Sequence, residues 1–225
     1  MLKSFVLIAI CLLAFSTAPN AQKRSTTSES KKPDSPQTTK KTNARPAAPK
    51  TATEPFEKAT VAKMAEQCVK LETEAGVVEM ALLPETAPET VRNFLNLVAI
   101  GAYDTTTFSR VVPGFIVQGG NLSTRGKITA ELDKRSQRTI PDEPNAVKHE
   151  RGVVSMARSG EPNSASTHFF ILVGDARHLD GTFAAFGRVT SGMEIVDGIN
   201  KMPVEGDKPA KPVLLKRAAA AVCAS

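Results

Sequence analysis

In the stretch FSRVVPGFIVQGG, Phe108 to Gly120, two side chains are out of keeping with their neighbours, Arg110 and Gln118. The run is as apolar as a buried strand broken by a Pro-Gly turn. A guanidinium cannot leave water there without a partner or a nearby opening, so Arg110 marks one or the other. Other residue types that could do chemistry make weaker groups. His149, His168 and His178 lack a supporting ligand cluster and the short helical spacing of zinc enzymes, so no metal site is expected. Ser166, His168 and Asp175 could be written as a hydrolase triad, but the chain has no G-x-S-x-G elbow, and proximity in sequence is not triad geometry.

The elements that must position these residues occupy only part of the chain. Of 225 residues 41% are apolar, enough for a real core, and the net charge is +6. Residues 23–65 hold ten Lys/Arg against four Asp/Glu, whereas residues 66–225 hold eighteen against nineteen. The basic character therefore belongs to a tail. Residues 1–21 join Lys3, an apolar run from Phe5 to Phe15 and small residues that allow cleavage after Ala18 or Ala21, the layout of a secretory signal. As a helix the run rises through only about half the hydrocarbon thickness, so a permanent transmembrane anchor is the weaker reading. A periplasmic or secreted product is expected, the alternative being an inner-membrane anchor formed by the uncleaved signal. Residues 22–65 are expected to be a disordered basic linker, rich in Pro, Ser, Thr and Lys, with a short helix allowed between Glu54 and Glu66. Its lysines lack interleaved aromatic residues, so nucleic acid is not an expected partner. Export permits a disulfide between Cys68 and Cys223 if antiparallel terminal strands bring them together. The other possibility is two free thiols.

From residue 66 to 225 the chain reads as one domain. Two alternating stretches around Glu74-Ala75-Gly76 predict a hairpin. Val91, Phe94, Leu95 and Val98 recur at helical spacing after Pro88, and Met193, Val196 and Ile199 repeat that pattern. GVVSMAR, HFFILVG, FAAFGRV and VLLKRAAAAV read as strands, with a polar loop from Leu122 to Lys148. Many strands and two helices favour a closed barrel without open edges.

FSRVVPGFIVQGG, GVVSMAR, STHFFILV and HLDGTFAAFGRV, in this order and spacing, resemble the cyclophilin-type peptidyl-prolyl cis-trans isomerases in their short bacterial secreted form. The likeness runs from about Val69 to Ala218. It implies a mainly β fold: an eight-stranded, mostly antiparallel barrel capped by two α-helices, with the active groove on the outer face. It also implies that Arg110 is the catalytic arginine, that Gln118 orients it, and that Phe115 floors a proline pocket. Ala157 and Arg158 then wall the residue before proline, Phe170, Leu179 and Phe183 line the pocket, and Ile116 supports them. Phe115 and Gln118, three residues apart, would face opposite sides of a regular strand, which predicts a bulge between them. His168 stands at a family glutamine position. Phe183 replaces the histidine of eukaryotic relatives, and His178 replaces their tryptophan, so cyclosporin binding is expected to be weak.

Rotation about an X-Pro bond needs no covalent step, metal or cofactor, only passage over a barrier of about 18 to 20 kcal/mol. The twisted prolyl nitrogen gains a lone pair that a fixed guanidinium can bind more strongly than it binds the planar amide. The expected partners are proline-containing peptides and folding exported proteins, met by a monomer. The rival reading is a chaperone or adaptor that holds such segments without catalysis.

Overall fold

The computed structural model describes residues 54–223. The expected signal and most of the expected linker lie outside them. Helix α1 (Val61–Ala65) is capped by Thr60, whose hydroxyl accepts from the Lys63 N–H. Strands β1 (Gln67–Thr73) and β2 (Val77–Leu82) then form the hairpin. It reverses at Gly76, where φ is +141° and a side chain would run into Ile195. Helix α2 (Pro88–Ala99) has Pro88 in its first turn, where the missing N–H is not needed, and it buries Val91, Phe94, Leu95 and Val98. Next come β3 (Thr106–Thr107), β4 (Arg110–Val112), β5 (Ile116–Gly119), α3 (Ala130–Ser136), β6 (Val153–Met156), β7 (Phe169–Leu172) and β8 (Ala185–Ser191). The chain ends with α4 (Met193–Asn200), the short arms β9 (Val204–Glu205) and β10 (Lys208–Pro209), and β11 (Leu214–Val222).

Nine strands form one antiparallel sheet in the order β3-β11-β1-β2-β8-β6-β7-β5-β4. Its two ends are consecutive pieces of one chain. The Phe108 N–H donates to Val213 O beside β11, and the next N–H, that of Ser109, donates to Gln118 O on β5. Residues 106–112 thus change partners within one step and close the curl. Taken as a single bent strand, they reduce the nine to the expected eight.

Strand alternation sorts the side chains into two clusters. Val111, Val117, Val154, Met156, Phe169 and Ile171 point into the main core with Phe94, Tyr103 and Phe186. Their neighbours Ile116, Val153, Phe170 and Leu172 point outward into a second apolar cluster with Leu179 and Ala185. Strands β6 and β7 are therefore buried on both faces.

Two expectations need correction. The polar stretch 122–148 contains α3, which carries Thr129 as its cap, Glu131 and Asp133 in its first turn and Lys134 and Arg135 in its last. The compact unit also begins before residue 66. Glu54 pairs with the buried Arg135 at 2.7 Å and with Arg138 at 2.8 Å, and Met64 is wholly buried. A buried guanidinium requires such a counter-charge, and this contact draws residues 54–65 onto the barrel. Cys68 and Cys223 are joined by a disulfide, with Cα atoms 4.9 Å apart, where β1 runs antiparallel to β11.

Candidate active site

The hairpin of β4 and β5 sets Arg110 directly opposite Gln118. Both alternate with core residues, so both side chains leave by the outer face. The connecting turn runs over Pro113 and Gly114, whose φ of +73° suits glycine. Asn200, at the end of α4, fixes this turn from below. Its Oδ1 accepts from the Gly114 N–H at 2.8 Å, and its Nδ2 donates to Val112 O and Ile116 O at 2.9 and 3.0 Å. Phe115 belongs to the turn, its N–H donating to Val112 O. No bulge separates it from Gln118, because β5 starts at Ile116 and pairs regularly on both sides. The expected bulge is therefore corrected: Phe115 is not bound by strand alternation.

Across β5 and β7, Gln118 lies opposite Phe170. This pair is where two kinds of surface meet. On one side Phe115, Ala157 and Phe183 pack onto the apolar cluster of Ile116, Phe170 and Leu179. Phe170 and Phe183 meet edge to face at 6.0 Å, and His178 lies 5.6 Å from Phe115. On the other side a polar cavity of about 490 Å³ is bordered by Arg110, Gln118, Ala157, Arg158 and His168, with Ser and Thr hydroxyls behind them. Arg158 spans the two, its guanidinium 5.1 Å from the Phe183 ring centre. The ten residues singled out for catalysis and binding thus fall in two adjoining groups that form the candidate groove, five around the cavity and six, Ala157 belonging to both, in the apolar cluster. Among the described residues Ser166 makes no hydrogen bond to His168; its hydroxyl lies within reach of the Ser136 and Arg138 carbonyls and can donate to either.

The charge at this rim is held from two directions. Arg110 Nη1 donates to Gln118 Oε1 at 3.3 Å, while Nε and Nη2 reach Asp207 Oδ2 at 3.0 and 2.8 Å. Both partners of the ion pair stay about half exposed, 44% and 52%, so the cation is neither turned inward nor sealed off. Asp207 was not anticipated. It lies 97 residues along the chain from Arg110 in a Gly-Asp turn, and no local pattern links the two. A second unanticipated group supports the pocket wall. His149 Nδ1 lies 3.2 Å from Asp180 Oδ1, and its Nε2 lies 3.2 Å from Ser155 Oγ. Burial lowers the His149 pKa against the opposing pull of Asp180, and the His149 backbone N–H holds the Asp180 carboxyl below its ordinary range. Burial also lowers the pKa of His168, so both imidazoles favour the neutral form.

Known proteins resemble this chain in sequence and in fold. The chain is 38% identical over 164 residues to peptidyl-prolyl cis-trans isomerase A of Dickeya dadantii, which covers 67% of this chain and 82% of that protein. It is 37% identical to isomerase cypE of Dictyostelium discoideum over 70% of this chain and 99% of that protein. In structure it is similar to a cyclophilin type isomerase of Cryptosporidium parvum, with a TM-score of 0.62 at 29% identity over 70% of this chain and 99% of the other. The same neighbour was also solved in the presence of the dipeptide Ala-Pro, and that structure aligns with a TM-score of 0.61. The family model for cyclophilin type peptidyl-prolyl cis-trans isomerases matches residues 68–220, and with β4, β5 and β7 assembling the groove, the chain belongs to that family.

Proposed function

We propose that this peptidyl-prolyl cis-trans isomerase acts on exported proteins outside the cytoplasm, with Arg110 as its catalytic residue. The observation that carries the reading is the placement of Arg110: half exposed on the outer face, tied to Gln118, and beside an apolar cluster. Proline-containing peptides fit that surface. Phe115, Phe170, Leu179 and Phe183 offer contact to one pyrrolidine ring, and Ile116 and Ala157 back them. Arg158 and His168 border the neighbouring chain of the peptide. As the amide twists, its nitrogen gains electron density, and a donor already in place stabilises that state above the planar one. An acceleration of about a millionfold asks roughly 8 kcal/mol of the donor and the substrate-holding contacts together.

Export is supported by the disulfide between Cys68 and Cys223, which persists in an oxidising compartment, and by the signal-like start of the chain. Two experiments test the reading. In an isomerisation assay on an Ala-Pro peptide, Arg110→Ala is expected to lose about a hundredfold or more in kcat/KM with the fold intact. Equal rates would leave a binder without catalysis. Fractionation with thiol trapping is expected to find the shortened, disulfide-bonded chain outside the cytoplasm. A full-length reduced chain in the cytoplasm would overturn export.

A further inference from the structure

Asp207 stands at the turn between β9 and β10, a hairpin anchored to the strand that carries Arg110. Gly206 takes a φ of +63° there, the Val111 N–H donates to Asp207 O at 2.8 Å, and the Ala210 N–H closes the loop on Pro203 O at 2.9 Å. Pro209 is buried behind it. The carboxylate is thus presented from a loop fixed at both ends. A guanidinium has five N–H donors in a rigid fork. One oxygen of Asp207 takes the Nε–H and one N–H of Nη2, and Gln118 takes one N–H of Nη1. Among the described residues one N–H on each terminal nitrogen stays unspent, and Arg110 borders the groove cavity.

We infer that Asp207 is a positioning residue for isomerisation: it grips the Nε edge of Arg110 so that the unspent N–H groups are presented to the substrate amide. This rests on the reading of Arg110 as catalytic. A long side chain half in water otherwise samples many rotamers, and catalysis is sensitive to small misplacement of a donor. Substrate need not displace the carboxylate, because the edge that Asp207 holds is not the edge left free. Exposed ion pairs add little to stability, so the contact can be removed without unfolding the chain.

The test compares wild type, Asp207→Ala, Asp207→Asn, Arg110→Ala and the double alanine variant on an Ala-Pro peptide, with thermal unfolding measured for each. Asp207→Ala is expected to lower kcat/KM about tenfold, mainly through kcat, with its unfolding midpoint nearly unchanged. Asp207→Asn keeps an oxygen that can accept from the same edge and is expected to recover to within about threefold of wild type. In the Arg110→Ala background, adding Asp207→Ala is expected to change nothing. The inference is overturned if Asp207→Ala is as fast as wild type or faster, if Asp207→Asn is as slow as the alanine variant, or if the double variant is slower than Arg110→Ala. Full activity in Arg110→Ala would instead overturn the role of Arg110 itself, which separates the two failures.

Discussion

His149 is held between Asp180 and Ser155, 3.2 Å from each, and so links the loop that carries Leu179 to the strand opposite Phe170. Its ring is wholly buried. Protonating it places a cation where burial disfavours one, and the same holds, less completely, for His168. Both folded-state pKa values are lowered from the ordinary 6.5, so below that pH the unfolded chain binds protons that the native state refuses. Stability is then full above about pH 6.5 and declines as pH falls through the folded values, by at most about 1.4 kcal/mol per pH unit for each imidazole. Urea midpoints measured from pH 8 to pH 5 should fall on the acid side; a flat series would contradict the buried placement. Asp180 and Asp197, whose pKa values are lowered by partners, add a further loss below the carboxylate range.

The rate itself should behave differently. No step needs a proton, and an arginine side chain stays charged across working pH. Isomerisation measured on folded protein is therefore expected to be nearly flat from pH 6.5 to pH 8.5. A steep slope within that window would mean that an imidazole takes part in the chemistry.

Asn200→Ala should be costly. Three hydrogen bonds to the turn that carries Phe115 would be lost, taking a partner from the Gly114 N–H and from Ile116 O and leaving Val112 O with only the Phe115 N–H from within the turn. A loss of about 2 to 4 kcal/mol is expected in chemical denaturation, from desolvated groups left unpaired. Activity should also fall in the fraction that remains folded, because Phe115 is no longer held.

Phe115→Ala separates binding from folding more cleanly, since Phe115 is only partly buried and packs on the outer cluster rather than the core. Losing one aromatic contact with the substrate is expected to cost about 2 kcal/mol, or roughly thirtyfold in kcat/KM. Thermal unfolding should shift only slightly. A large stability loss with an unchanged rate would assign Phe115 to packing alone.

Reduction of the bond between Cys68 and Cys223 removes a constraint across 155 residues. The chain-entropy argument gives about 5 kcal/mol for a loop of that size. Cys68→Ser with Cys223→Ser should therefore lower the melting temperature substantially while leaving the rate at low temperature intact, since neither cysteine borders the cavity or belongs to the outer apolar cluster.

What could be seen in the chain beforehand follows the range over which each signal acts. Alternation and helical spacing are local, and they locate β1, β2, α2 and α4 from residues such as Val91, Phe94, Val196 and Ile199. The motif around Arg110 and Gln118 is also local, because a hairpin sets the two opposite each other eight residues apart. Phe115 misled because its direction depends on where a strand starts, which alternation does not mark. Helix α3 was hidden because it is short and mostly polar, and its capping signals sit in a loop-like composition. Asp207 with Arg110, and Glu54 with Arg135, are pairings 97 and 81 residues apart. Only the closed three-dimensional path brings such charges together.

The partner change between Phe108 and Ser109 has a consequence for timing. Arg110 follows directly, so the strand that carries it is anchored at one end by the contact that joins the two ends of the sheet. A chain rich in strands but lacking that joint is expected to hold Arg110 less firmly and so to turn over slowly. In refolding, turnover should return after the circular dichroism signal, making enzymatic competence a certificate of completed closure.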